Sequence, residues 1–345
     1  MKQWVLSMCI ALLLLIVMRT FFIQTLVVQS SSMSSTLQPG DWVVIDKFSY
    51  GARLPVTLIS VPFAPLRISH SSPHLYLSWI ELPYLRLPAI RKILRNDVIA
   101  FNYPADDSLP LDKKIVYIKR CVGLPGDTVS IISDILYVNR QKDTLSAVKH
   151  QYRVKFKDKR LTNKLLKKYG IDEGGFANDK GDYMFHLSSW QVHKLAKEKA
   201  VLSVEKFNRS ENSDPSFVYP NESSLDWTLS NYGPIAVPKC GSRIRVNERN
   251  MSIYRDVLER FEKCKIRVKN SVWYINDMPL IYYYFKNDYY FVLDDNRDNA
   301  KDSRFWGFVP ENHLIGRVPV ILLSFDISSS GFIGIRWKRC FSHIE

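Results

Sequence analysis

The sequence predicts a mostly β protein: an antiparallel β core standing behind one N-terminal transmembrane helix and interrupted by an inserted α+β subdomain. Three observations predict it. The chain opens on an apolar run of membrane length. Short alternating or apolar runs at residues 42–45, 98–101, 115–122, 129–132 and 135–138 are separated by turn signals such as Pro39-Gly40 and Pro125-Gly126, the pattern of strands. From Gln141 to about Asn231 the chain then turns polar and rich in lysine, with glycine, serine and asparagine around one helical stretch.

The N-terminal run is apolar from Trp4 to Met18, is interrupted by Arg19, and resumes at Phe21-Phe22-Ile23. About 20 residues span a bilayer as a helix, and an arginine near the end can snorkel to the interface, so one tilted anchor is expected. A cleavable signal peptide is the rival, since the uninterrupted part has nearly that length. Cleavage among Ser30, Ser31 and Ser32 would damage the serine tract considered below, which favours an anchor. Lys2 against Arg19 does little to set orientation. The expected division is 1–25 anchor, 26–140 first part of the core, 141–270 inserted subdomain, 271–325 second part of the core and 326–345 tail.

Within the core, Ile115, Tyr117, Lys119 and Cys121 share one face of a strand, which sets a lysine on an otherwise apolar row. Residues 59–90 are rich in proline, leucine and aromatics and too interrupted for a helix. Part of that stretch, anchored by Trp79 and Tyr84 with Arg86, Arg91 and Lys92 nearby, suits a membrane surface, and packing against the core is the alternative. A helix is expected over 189–200. Another is expected over 254–264, where Tyr254, Val257, Leu258 and Phe261 fall on one face. Residues 272–275 and 280–285 around Asn276-Asp277 read as a hairpin.

At 345 residues and 46% apolar composition the chain can bury a large core, which excludes a disordered or fibrous class. Its net charge of +14 points to nucleic acid or an anionic membrane; no nucleic-acid-binding signature accompanies it, so a lipid bilayer, anionic lipid included, is the expected partner and nucleic acid is not. A merely solubilising basic surface stays open. The five cysteines are odd in number and lack CxxC spacing, so they form neither a metal site nor a disulfide framework; Cys240 with Cys264 is the one pairing to consider. Asp294, Asn296 and Asp298 have the one-three-five spacing of a calcium loop, but Asn299 stands where its glycine belongs and Phe305 where its glutamate belongs. No metal and no cofactor is expected.

The chemistry-bearing pair is Ser32 and Lys119. Serine is a poor nucleophile until a base takes its proton, and a lysine serves as that base only when its environment preserves the neutral amine. Moving a lysine from about 10.4 to about 8 takes about 3 kcal/mol, within reach of an apolar setting. Ser32 then attacks a carbonyl carbon, and Lys119 accepts the hydroxyl proton and returns it to the departing amine.

Three blocks surround the pair: Gln29-Ser30-Ser31-Ser32-Met33-Ser34-Ser35-Thr36-Leu37 with Pro39-Gly40-Asp41; Asn96-Asp97-Val98-Ile99 leading to Tyr117-Ile118-Lys119-Arg120-Cys121-Val122-Gly123-Leu124-Pro125-Gly126-Asp127; and Asp295-Asn296-Arg297-Asp298-Asn299-Ala300-Lys301-Asp302-Ser303-Arg304. In content and order they resemble the bacterial type I signal peptidases, membrane-bound Ser/Lys proteases that remove signal peptides. The resemblance implies cleavage of exported preproteins through a Ser32/Lys119 acyl-enzyme, in the bacterial inner membrane, with one span and the catalytic domain on the extracytoplasmic, periplasmic side. It also implies an oxyanion site made of the Ser32 backbone N–H and the Ser30 hydroxyl, substrate walls from Leu26, Val28, Met33, Leu37, Tyr117 and Ile118, and support of the site by Arg120, Asp302 and Arg304, with Arg304 engaging Asp302 and holding the lysine strand in register. The chain departs from the family pattern at Ser35 for proline, Asp294 for glycine and Ala300 for serine. A carboxylate at 294 close to Lys119 favours the protonated amine. The alternative function is a catalytically weak or inactive relative that binds signal peptides or envelope proteins; a self-cleaving DNA-binding repressor is disfavoured by the anchor.

Overall fold

The computed structural model describes residues 2–57, 82–145, 148–157, 162–177, 182–207, 218–270, 272–326 and 334–344. Helix α1 (Lys2–Val17) continues through a wide turn at Met18–Phe22. Together Gln3–Phe22 form a 20-residue apolar rod of mean hydropathy 2.5, none of it buried by the rest of the protein. At 1.5 Å per residue it is about 30 Å long, the thickness of a hydrocarbon core.

The rod delivers the chain directly into a nine-stranded antiparallel sheet. Its principal strands are β1 (Ile23–Val27), β2 (Asp41–Asp46), β3 (Val98–Asn102), β4 (Val116–Gly123), β5 (Tyr289–Leu293) and β6 (Leu314–Asp326), in the spatial order β1-β2-β6-β3-β4-β5. β3 and β5 are buried at every residue and read accordingly as unbroken apolar runs, whereas β2 alternates, with Asp41, Val43 and Ile45 inward and Trp42 exposed. The register sets Ile99 opposite Lys119 and Phe101 opposite Tyr117. One face of this sheet packs Val28, Met33, Leu37, Val43, Ile45, Val98 and Ala100; the other packs Ile99, Phe101, Cys121, Val292 and Trp306. A one-residue slip of β4 would exchange the faces of every side chain on it, Lys119 included. Gly316 lets β6 pass close to β2, since a Cβ there would lie 2.2 Å from the Asp46 carbonyl oxygen.

The stretch 141–270 divides between two cores. Strands Lys149–Phe156, Gly174–Phe176, Asp182–Ser188 and Val201–Lys206 form a separate four-stranded sheet with helices Thr162–Tyr169 and Ser189–Ala196, around Val154, Phe185, Leu187 and Leu195. Residues 232–264 instead join Val122, Val129, Tyr289, Phe291 and Phe308 in one aromatic core.

Local expectations are corrected in five places. The helix expected over 189–200 ends at Ala196. The helix expected over 254–264 begins at Glu248, because the Asn247 side chain caps it by accepting from the Asn250 N–H at 2.8 Å, and Val257–Phe261 follow as a wide turn. Asn276 and Asp277 do turn with positive φ (52° and 64°), but their hairpin extends only to Met278–Pro279, and Tyr282–Tyr284 crosses to pair with Arg243–Arg245. Ile115 lies before β4 and is 55% exposed, off the buried row. All five cysteines are free; Cys264 is buried beside the Tyr283 hydroxyl and Cys240 is exposed. The tail also returns to the core: Ser342–His343 pairs with β6, and Arg336 and Arg339 both reach the buried Asp41 carboxylate. Of the aromatic stretch 59–90, Trp79 lies outside the described residues, while Tyr84, Leu85 and Ile90 are exposed.

Candidate active site

Ser32, the expected nucleophile, sits on a single 3-10 turn, Ser31–Met33, just past β1. Met33 and Leu37 pin the turn into the sheet's apolar face, and the Asn296 N–H donates to the Ser32 carbonyl at 2.9 Å. The Ser32 hydroxyl, on a residue only 8% exposed, lies 3.1 Å from Lys119 Nζ, whose residue is 5% exposed on β4. The Tyr117 ring lies 5.5 Å from the same ammonium. Serine and lysine, 87 residues apart in sequence, thus meet in a buried setting with one hydrogen bond between them.

Lys119 has a second partner. Its Nζ lies 2.5 and 2.6 Å from the two carboxylate oxygens of Asp294, which is wholly buried. Burial pushes the Asp294 carboxyl up to about 7, and negative Asp302 adds to the rise, against the opposing pull of Lys119 and a hydrogen bond from Ser32. Below that value the carboxyl holds its own proton.

The predicted oxyanion donors are bonded to each other: Ser30 Oγ accepts from the Ser32 N–H at 3.1 Å, as an N-cap does. To serve an oxyanion, this N–H would have to leave Ser30 Oγ and the Ser30 hydroxyl would have to turn its own proton the same way. Arg120 clamps Asp295 with two bonds of 2.7 and 2.8 Å and donates to Thr36 at 2.9 Å. That pair ties β4 to the loop after β5. Arg304 engages Asp302 through Nε and Nη2 at 3.0 and 2.9 Å, and Asp302 Oδ2 accepts from the Asp294 N–H at 3.2 Å. The Arg304–Asp302 pair therefore bears on the loop that carries Asp294, whereas Arg120 is the residue that fixes the lysine strand.

The six expected wall residues do not form one surface. Val28, Met33 and Leu37 are at most 8% exposed and serve as core. Leu26 and Ile118 are partly buried against the same cluster, while Tyr117 belongs to the opposite face with Tyr103 and Trp306. Elsewhere, Asp134, His150 and Asp298 bring one ligand atom each to within 4.8 Å of one another. Lys206 already sits 2.6 Å from Asp134, and Asp298 accepts from the Gln151 N–H, so that carboxylate pair is engaged by the protein's own donors.

Sequence reasoning missed Glu173 and Lys149, both from the separate four-stranded unit or its loops. The Glu173 carboxylate accepts from Ser31 Oγ (3.1 Å) and Asn299 Nδ2 (2.7 Å) on one oxygen, and from Ser34 Oγ (2.8 Å) and Asn296 Nδ2 (2.7 Å) on the other. It therefore joins the nucleophile turn to the loop of residues 294–299. Lys149 is buried and reaches Ser34 Oγ at 3.3 Å, while its backbone bonds Asp295 and Arg297. No local signal marks either residue in a polar, lysine-rich stretch.

The family model described as "Signal peptidase, peptidase S26" matches residues 1–214 and 236–323. Signal peptidase I of Buchnera aphidicola subsp. Acyrthosiphon pisum is 24% identical over 341 residues, spanning 95% of this chain and 77% of that protein. Signal peptidase I of Helicobacter pylori strain J99 is 24% identical over 366 residues, spanning 100% of this chain and 92% of that protein. Signal peptidase I of Pseudomonas fluorescens is 35% identical over a shorter stretch of 129 residues, 37% of this chain.

Proposed function

The chain belongs to the signal peptidase family, peptidase S26, and on that premise we propose that it is a membrane-anchored serine endopeptidase that cleaves signal peptides from exported preproteins, with Ser32 as nucleophile and Lys119 as general base. The observation that carries the residue assignment is the 3.1 Å approach of Lys119 Nζ to Ser32 Oγ at a buried site. As Oγ bonds to the scissile carbonyl carbon, its proton passes to Nζ; Nζ then gives it to the departing amine, and water enters by the reverse route to release the acyl group. The Ser32 N–H and the Ser30 hydroxyl stabilise the oxyanion.

The open edge of β4 supports an extended substrate. β5 pairs with β4 only at Arg120, Cys121 and Gly123, so among the described residues no strand occupies that edge along Val116–Lys119. A signal peptide added there gains main-chain hydrogen bonds within reach of Ser32, with Leu26 and Ile118 as the accessible apolar wall for small side chains. The apolar rod, long enough to cross a bilayer once, supports a single-pass membrane anchor. The catalytic domain then belongs on the periplasmic side of the inner membrane, where exported chains emerge. Exposed Tyr84, Leu85 and Ile90 with exposed Lys92 suit anionic headgroups, whereas Arg86 is engaged by the Tyr50 and Gly51 carbonyls and Arg91 by Asp97. The Lys119–Asp294 ion pair favours one second reading, a relative that binds signal peptides without cutting them.

The test is incubation of the purified protein with a preprotein, followed by N-terminal sequencing of the product. Parent protein is expected to yield a single new N-terminus, and Ser32→Ala and Lys119→Ala none. Processing by either variant at the parent rate would refute the assignment, and binding without processing by the parent would favour the second reading.

A further inference from the structure

We propose that Asp294 is a third catalytic residue, a proton store that accepts the surplus proton of Lys119 and so frees the amine to act as base. This rests on the Ser32/Lys119 reading and deepens it. The geometry is that of one proton between two heavy groups: both Asp294 oxygens lie within 2.6 Å of Nζ, the carboxylate is fully buried, and Ser32 Oγ occupies the next position on the same nitrogen.

A lysine held this way cannot accept a proton while it carries three. The pair with one excess proton has two arrangements, ammonium with carboxylate or amine with carboxylic acid. They have the same net charge, so conversion between them requires no exchange with solvent. Burial disfavours the ionic arrangement, because two charges are harder to keep out of water than two neutral groups. A substrate strand laid along β4 covers the site and removes more water, moving the balance further toward amine and acid.

Catalysis then follows with every proton accounted for. The Lys119 proton moves to an Asp294 oxygen. The Ser32 hydroxyl proton moves to Nζ as the Oγ–C bond forms. Nζ passes that proton to the departing amine as the C–N bond breaks. Water gives a proton to Nζ as its oxygen bonds the acyl carbon, and Nζ returns this proton to Oγ as the ester bond breaks. Asp294 keeps its proton throughout and returns it to Lys119 after product leaves.

The surroundings suit this role. Groups facing Asp294 are Lys119 and Tyr117 from β4, Ser32 from the nucleophile turn, and Asp302 and Arg304 behind the loop. The Lys301 N–H donates to Oδ2 at 3.2 Å and the Asp294 N–H is held by Asp302, so the carboxyl is fixed in place while its proton changes sides. Negative Asp302 and burial both favour the protonated acid, with its carboxyl pushed up to about 7.

The rival role for the same contact is inhibition, in which the carboxylate locks Lys119 as ammonium; the two roles predict opposite signs for one substitution. Asp294→Asn keeps the shape and leaves an amide that cannot store the proton. Single-turnover acylation of a purified preprotein by full-length parent and variant is followed from pH 5 to 10. The parent rate is expected to rise with pH through about 7, where the pair sheds its second proton. Asp294→Asn is expected to acylate at least 10-fold more slowly at pH 7 with unchanged substrate affinity, and its rise is expected at least one pH unit higher, because the proton now has to leave for solvent. Asp294→Asn as fast as or faster than the parent at pH 7 overturns the proposal. A parent profile flat from pH 5 to 9 overturns it without reference to any variant. Ser32→Ala is assayed alongside: inactive Ser32→Ala with parent-like Asp294→Asn sinks the proton store alone, whereas an active Ser32→Ala sinks the nucleophile assignment and this inference together.

Discussion

Glu173 offers a quantitative test of how the separate four-stranded unit supports catalysis. Glu173→Ala removes a carboxylate that accepts four hydrogen bonds. The bonds from Ser31 and Asn299 lie at the rim, where water can replace the lost acceptor, so they contribute little. Ser34 and Asn296 are buried, and Asn296 Nδ2 keeps only a long 3.5 Å contact to Ser34 Oγ once the carboxylate is gone. Stranding a buried donor costs about 1–3 kcal/mol, and losing a charge-assisted bond to Ser34 adds about 1 kcal/mol. The sum is about 2–4 kcal/mol. In a protein of this size that lowers the unfolding midpoint by about 5 °C. The larger effect falls on rate. Ser31 and Ser34 flank the nucleophile, and a displacement of about 1 Å at a reacting atom costs on the order of 100-fold. Glu173→Gln keeps one acceptor oxygen and is expected midway. Thermal unfolding and single-turnover acylation measure both quantities. If Glu173→Ala matches the parent within twofold in rate and 1 °C in midpoint (roughly 0.5 kcal/mol), the clamp contributes nothing and the reasoning fails.

Two further predictions concern stability. Arg120→Lys retains the charge but loses the two-point clamp on Asp295 and the bond to Thr36, so it is expected to cost about 2–3 kcal/mol in denaturant titration; a cost below about 0.5 kcal/mol would contradict that account. His313 is buried near Lys114, Arg53 and Arg260, and burial and then those charges hold it down at about 3, below its unfolded value near 6.5. Since the unfolded chain takes up the proton first, stability is complete above about 6.5 and is lost as pH falls toward 3. The share lost between pH 7 and pH 4 is about 3 kcal/mol. His313→Asn is expected to flatten the pH dependence by that amount, and an unchanged slope would remove His313 as its source.

What could be read in the sequence was whatever is encoded contiguously. Ser32 and Lys119 each sit inside a run whose neighbours repeat the same message, and the alternation of β2 and the unbroken apolar runs of β3 and β5 follow from one-sided and two-sided burial. Asp294 was visible as a departure, but the contact of both its oxygens with Lys119 Nζ was not, because that depends on the register of β4 beside β5. Glu173 was illegible for a related reason: its partners Ser31 and Ser34 lie 142 and 139 residues away, and a glutamate in a polar stretch looks like any solvated one. How the expected wall residues are shared between faces was not legible, because Tyr117 and Ile118, adjacent in sequence, point to opposite faces of a strand. The early helix start at Glu248 turns on one side chain, Asn247, whose capping role appears only when the Asn250 N–H is seen to need an acceptor.

The central claim is that Lys119 acts as a base and not simply as a positive charge beside Asp294. Lys119→Arg isolates the difference, because guanidinium can still face the carboxylate yet stays protonated at any accessible pH. Full-length Lys119→Arg is incubated with a preprotein from pH 6 to 10 and the products are read by N-terminal sequencing. No new N-terminus is expected at any pH; parent-like cleavage at the same bond would contradict the account.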